Sequence, residues 1–99
     1  MLLAQKNIAA GSRLKYIVDY TDFLEAGIKL ATLNVFITPG QTPQPTSTVD
    51  TTQLDATGTQ IWFFVNAAVL NEVFTVTVQA TDSETETVVD TVQFAVVTP

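Results

Sequence analysis

Phe74-Thr75-Val76-Thr77-Val78-Gln79-Ala80 alternates apolar and polar side chains from end to end. Successive side chains of a strand point to opposite faces, so Phe74, Val76, Val78 and Ala80 share one face and Thr75, Thr77 and Gln79 the other. A helical stripe would need apolar residues three and four apart, and here they stand two apart. The segment is a strand with one face buried and one wet. Gln60 to Val65 gives a second strand with a difference: Ile61, Phe63 and Val65 face one way, and Trp62 and Phe64, also apolar, face the other. Leu14, Tyr16, Val18 and Tyr20 alternate with Lys15, Asp19 and Thr21, and Val92, Phe94 and Val96 close the chain on the inward side.

The remaining segments fit around these. Leu30, Leu33, Val35 and Ile37 form a strand whose first step of three breaks the period, and a β-bulge at Ala31-Thr32 restores the phase. Thr38 to Pro45 carries three prolines, which lack a ladder donor, so it is a loop or an edge. Two weaker strands are expected around Val49 and around Leu54. Thr21 to Gly27 reads as one helical turn or a wide loop, and Asp82 to Glu86 as a charged hairpin tip. Six or seven short strands at this spacing are the pattern of an all-β sandwich or barrel, and we expect the sandwich. Its expected inward face is Leu14, Tyr16, Val18, Leu33, Val35, Ile61, Phe63, Phe74, Val76, Val78, Val92, Phe94 and Val96. Residues 1–13 show no clear period and end in Ala9-Ala10-Gly11-Ser12, so they are expected to form an N-terminal arm, with the domain proper at 14–99.

Composition narrows the function. The chain has 99 residues, 46% hydrophobic and 14% charged, and this balance implies a packed core. Thr and Val, its commonest residues, suit a pleated surface. The net charge is −6, and the four basic residues (Lys6, Arg13, Lys15 and Lys29) lie in the first third. Nucleic acid and anionic membranes call for a clustered positive footprint, so neither is an expected partner. Without Cys or His there is no thiolate, no disulfide and no Ser-His-Asp or Cys-His chemistry. We read no enzyme and no cofactor. Met1 to Lys6 lacks the basic and apolar regions of a secretory signal, and this predicts a product that stays in the cytoplasm of the cell that makes it.

Three features stand out as candidate sites. Asp82, Glu84, Glu86 and Asp90 could offer oxygens to calcium, but their spacing matches no calcium loop. We read them as residues that keep a hairpin tip soluble and blunt strand pairing, with no metal site. Trp62 and Phe64 on an outward face must be covered by the Pro-rich loop, by the arm or by a partner. Trp is enriched where partners bind, and an aromatic face also suits a sugar. The apolar start Met1-Leu2-Leu3, with Lys6 and Arg13, could dock the arm on a neighbouring subunit. The expected partner-binding set is therefore Met1, Leu2, Leu3, Lys6, Arg13, Trp62 and Phe64.

The segment Arg13-Leu14-Lys15-Tyr16-Ile17-Val18-Asp19-Tyr20-Thr21-Asp22-Phe23-Leu24-Glu25-Ala26-Gly27 resembles the opening of small immunoglobulin-like virion proteins of tailed bacteriophages. These read Arg-Leu-x-Tyr-x-x-Asp-aromatic-x-x-aromatic-Leu-x-x-Gly before an apolar strand, which here is Ile28 to Ile37. Ile61-Trp62-Phe63 and Phe74 to Val78 resemble two later strands of that family. Its Gly-rich turn is replaced by the longer, more apolar Asn66 to Glu72. The resemblance implies an immunoglobulin-like sandwich of about seven strands with no catalytic residues. It further implies a bacteriophage structural protein, foremost a capsid decoration or cement protein on the head, assembled in the host cytoplasm and carried in the virion. Its partners would be other virion proteins, the major capsid protein or tail proteins, met in many copies on a symmetric lattice. A tail or head fibre component is the alternative within that class, and a carbohydrate- or surface-binding immunoglobulin-like module the alternative outside it.

Overall fold

The computed structural model describes residues 2–99. It contains seven strands: β1 (Leu2–Ala9), β2 (Arg13–Asp19), β3 (Leu30–Ile37), β4 (Thr48–Leu54), β5 (Gln60–Asn66), β6 (Val73–Asp82) and β7 (Thr87–Val97). They form a four-stranded sheet in the order β1-β7-β6-β3 and a three-stranded sheet in the order β2-β5-β4. The chain is an all-β sandwich. No helix of the described residues is long and apolar enough to cross a membrane.

The alternating segments set the core. Ile61, Phe63 and Val65 of β5 face Phe74, Val76 and Val78 of β6 and Val92, Phe94 and Val96 of β7, all buried. Aromatic rings tie the layers together. Phe94 stacks on Phe74 at 5.5 Å between ring centres and meets the edge of Tyr16 at 5.5 Å, while Tyr16 packs on Phe63 at 5.7 Å. Leu14 is the exception to the expected inward face. It is 47% exposed, because β2 is an edge strand and Leu14 lies near its start, at the margin of the opposing sheet.

Both phase breaks are bulges. In β3 the register shifts by one residue between Leu30 and Thr32 against β6, the bulge expected at Ala31-Thr32. The two weak candidates around Val49 and Leu54 are a single strand, β4, with an extra residue between Asp50 and Gln53. Thr51 there has a positive φ of 51°. The bulge returns Val49 and Leu54 to the same inward face, and that is why simple alternation failed to join them.

The N-terminal segment departs from the expectation. Residues 2–9 are no arm: they are strand β1, paired in parallel with β7 from Leu2 opposite Thr91 to Ala9 opposite Val97. Ile8 is only 2% exposed and belongs to the core, and Leu3 and Ala4 pack against it. The segment hid its character because a bulge after Leu2 and the inward Lys6 break the alternation. Among residues 2–13, only 10–12 lie outside a strand, and they form the turn to β2.

Where β3 ends, side chains continue its work. Thr38 N donates to the Thr75 carbonyl at 3.0 Å, and the Gln41 amide both accepts from Thr75 N at 2.8 Å and donates to its carbonyl at 3.1 Å. Gln41 thus acts as a one-residue strand beside β6, where the prolines cannot supply one. Beyond the loop, Glu72 fastens the returning chain. Its carboxylate accepts from Ser47 N and Oγ at 2.9 and 2.6 Å and from Thr46 N and Oγ1 at 3.1 and 3.0 Å.

Partial burial would raise the pKa of Glu72, but hydrogen bonds from Ser47 and Thr46 outweigh it and bring the value from 4.5 down to about 2. A folded-state pKa below the unfolded one gives stability that is present above about pH 4.5 and is lost as pH falls towards 2. We expect Glu72→Ala to cost about 2 kcal/mol, the scale of hydrogen bonds to a charged group. Glu72→Gln should flatten the acid limb of the stability profile, as measured by urea unfolding at stepped pH. An unchanged acid limb in Glu72→Gln would mean other carboxylates set it.

Candidate functional site

β2 and β5 pair in antiparallel register, with Lys15 opposite Phe64 and Ile17 opposite Trp62. Because alternate residues of both strands point away from the core, their outer face carries Arg13, Lys15 and Ile17 beside Trp62 and Phe64. The two rings meet edge to face at 6.0 Å. A cation sits over each. The Arg13 guanidinium lies 3.7 Å from the Phe64 ring centre and Lys15 Nζ lies 4.3 Å from the Trp62 ring centre. Contacts of this kind contribute about 0.5–1 kcal/mol each at exposed sites.

β4 completes the platform. Arg13 Nη2 donates to Asp50 Oδ1 at 2.6 Å, and Asn66 Nδ2 donates to Asp50 Oδ2 at 2.6 Å. Hydrogen bonds from Arg13, then Asn66 and Thr51, hold the Asp50 carboxyl well below the usual carboxylate range. Arg13 is therefore fixed between a carboxylate and a ring. Among the described residues Arg13–Asp50 is the one ion pair, so Lys15 presents its charge to solvent. Trp62 and Phe64 remain partly exposed and Ile17 is 51% exposed. Residues 2–9 lie in the other sheet, and the Pro-rich loop bonds to Thr75 of that sheet. The side chains of β2 and β4 give the aromatic face only partial cover.

Of the expected partner-binding residues, the fold brings Arg13, Trp62 and Phe64 together and adds Lys15, Ile17 and Asp50. It puts Leu2, Leu3 and Lys6 elsewhere, on β1 in the other sheet. Leu2 is 49% exposed on that sheet's outer side, and Leu3 is spent on the protein's own core. Lys6, in register with Phe94, extends its stem along the open side of the sandwich, where it borders a concavity of about 130 Å³ with Leu14 and Tyr16. Met1 lies outside the described residues. Lys15 was legible as a neighbour of the aromatics only once the β2–β5 register was known.

The acidic set separates. Asp82 is 8% exposed and its Oδ1 accepts from Glu84 N and Glu86 N at 2.9 and 3.0 Å, so it ties the hairpin turn. Asp90 is 4% exposed and accepts from the Tyr20 hydroxyl at 2.8 Å. Burial first, and the Asp90 contact second, push the Tyr20 phenol well above its usual range. Only Glu84 and Glu86 stand free on the surface. Among the described residues no group of three or more acidic side chains is arranged to hold a metal ion.

The platform is an open, partly exposed sheet face. Its one carboxylate, Asp50, is already engaged by Arg13, Asn66 and the Thr51 hydroxyl. A sugar ring stacking on Trp62 would compete with Lys15 for the aromatic surface. A partner bringing carboxylates and apolar side chains would instead add to what is there. Compared with models of known protein families and with curated proteins, the chain finds no match.

Proposed function

We propose that this domain is a non-enzymatic virion component of a tailed bacteriophage, a decoration protein that grips the head surface through the outer face of β2, β5 and β4. The observation that carries the reading is the partly exposed Trp62–Phe64 pair with Lys15 and Arg13 seated on its rings. Aromatic and Arg side chains dominate binding energies, and here both are held rigid before any partner arrives. The strand order supports the immunoglobulin-like part of the reading. β2-β5-β4 and β7-β6-β3 match the B-E-D and G-F-C groupings of immunoglobulin domains, with the first strand moved beside the last. The resemblance of residues 13–27 supplies the phage setting.

The test uses Trp62, the only Trp of the chain. Purified protein mixed with undecorated heads should co-sediment, and its tryptophan emission should shift to the blue as Trp62 leaves water. Trp62→Ala should weaken binding about 30-fold per contact, the scale of a hot-spot residue of about 2 kcal/mol. Binding with an unchanged spectrum and no effect of Trp62→Ala would remove the platform from the interface. Binding to tails alone would replace the head reading with the fibre one.

A further inference from the structure

The outer face of the four-stranded sheet differs from every other surface of the molecule. It is made by the odd-numbered residues 73–81 of β6 and 87–97 of β7, residues 32, 34 and 36 of β3, and residues 2, 5, 7 and 9 of β1. None of these positions is charged, although the chain carries −6. They are Thr, Gln and Asn, interrupted by apolar residues such as Leu2, Val73 and Val89, each about half exposed. Depletion of charge is the compositional mark of an interface centre.

The charges gather at one end instead. The tips 19–29, 55–59 and 82–86 meet there, since Leu30 N bonds to Gly58 O at 2.7 Å and Ser83 N to Lys29 O at 2.8 Å. Seven of the ten carboxylates lie in these tips: Asp19, Asp22, Glu25, Asp55, Asp82, Glu84 and Glu86. Of the four basic residues only Lys29 joins them. The rest of the molecule is close to neutral.

From these two facts we infer that the uncharged face is a self-association surface, occupied by the same face of a second copy. The chemistry favours a copy over a foreign partner. A hydroxyl or a primary amide both donates and accepts, so a face of Thr, Gln and Asn is its own complement. An acidic or basic partner would find no opposite charge on it. Two-fold packing with the axis across the strands brings uncharged face to uncharged face and sends the two acidic tips to opposite ends, along a long dimension of 42 Å. Sheets pack face to face with their strands nearly aligned, which this arrangement allows.

Strands of 8 to 11 residues in a four-stranded sheet present about 19 by 30 Å, or roughly 1,100 Å² over both copies. Specific interfaces start near 1,200 Å², so the contact is weak in solution and gains strength where many copies sit side by side.

Sedimentation equilibrium of the full chain over roughly 10 μM to 1 mM, where contacts of this size associate, should show a reversible monomer–dimer step. Gln93→Glu and Gln79→Glu each place like charges across the contact, and each should raise the dissociation constant at least tenfold with an unchanged melting curve. Trp62→Ala, on the opposite sheet, should dimerise like wild type. A chain that stays monomeric over the whole range overturns the inference. So does a dimer that survives both Glu substitutions, or one that Trp62→Ala abolishes. Head binding is read separately through Trp62, so the platform reading stands or falls independently.

Discussion

Phe94→Ala should lower the free energy of unfolding by about 3–5 kcal/mol, the usual cost of emptying a core aromatic site. Phe94 is 2% exposed, and it is the ring on which the two layers meet, stacked on Phe74 and edge-on to Tyr16. No neighbour can collapse into the space without moving a sheet. Small domains have about 5–15 kcal/mol in total, so the variant should be unfolded or nearly so at 37 °C. Chemical unfolding followed by near-ultraviolet circular dichroism reads the effect. A loss below about 1 kcal/mol would mean the rings do not pack as described.

Removing residues 1–9 should have an effect at least as large. The deletion strips β7 of its parallel neighbour and takes Ile8 out of the core. Losing the Ile8 side chain alone is worth about 2–5 kcal/mol, before any ladder hydrogen bonds are counted. The shortened chain should lose amide protection along β7 first, from Thr91 to Val97, as hydrogen exchange would show. A truncated protein that melts with the full chain would mean that residues 2–9 are a detachable arm after all.

The two predictions mark how far the sequence could be read. Phe94 and Phe74 announce themselves by alternation, because each lies in a strand flanked on both sides and wetted on one face. The Ala31-Thr32 bulge was also legible, since a single phase slip between good strands has one simple repair. β1 was not, because a bulge and an inward Lys6 interrupt the only signal that a short strand can give. Its partner lies at the far end of the chain, and nothing local announces such a pairing. The platform was half legible. Trp62 and Phe64 are conspicuous as outward aromatics, but the cations over them come from β2 and the anchoring carboxylate from a bulged β4. The charge-free face was invisible for the same reason, since it exists only once four strands are laid in order.

The parallel pairing of the first and last strands also decides how the domain carries a load. Leu2 and Val97 lie at opposite ends of the β1–β7 ladder, and the strands run the same way. Tension applied through the two termini therefore slides β1 and β7 past each other along their length. The rungs of a parallel ladder are evenly spaced, so they share that force and must yield together rather than one after another. A hairpin pulled apart from its open end would unzip rung by rung. This sandwich instead resists in shear, and a tether at each end would meet its stiffest direction.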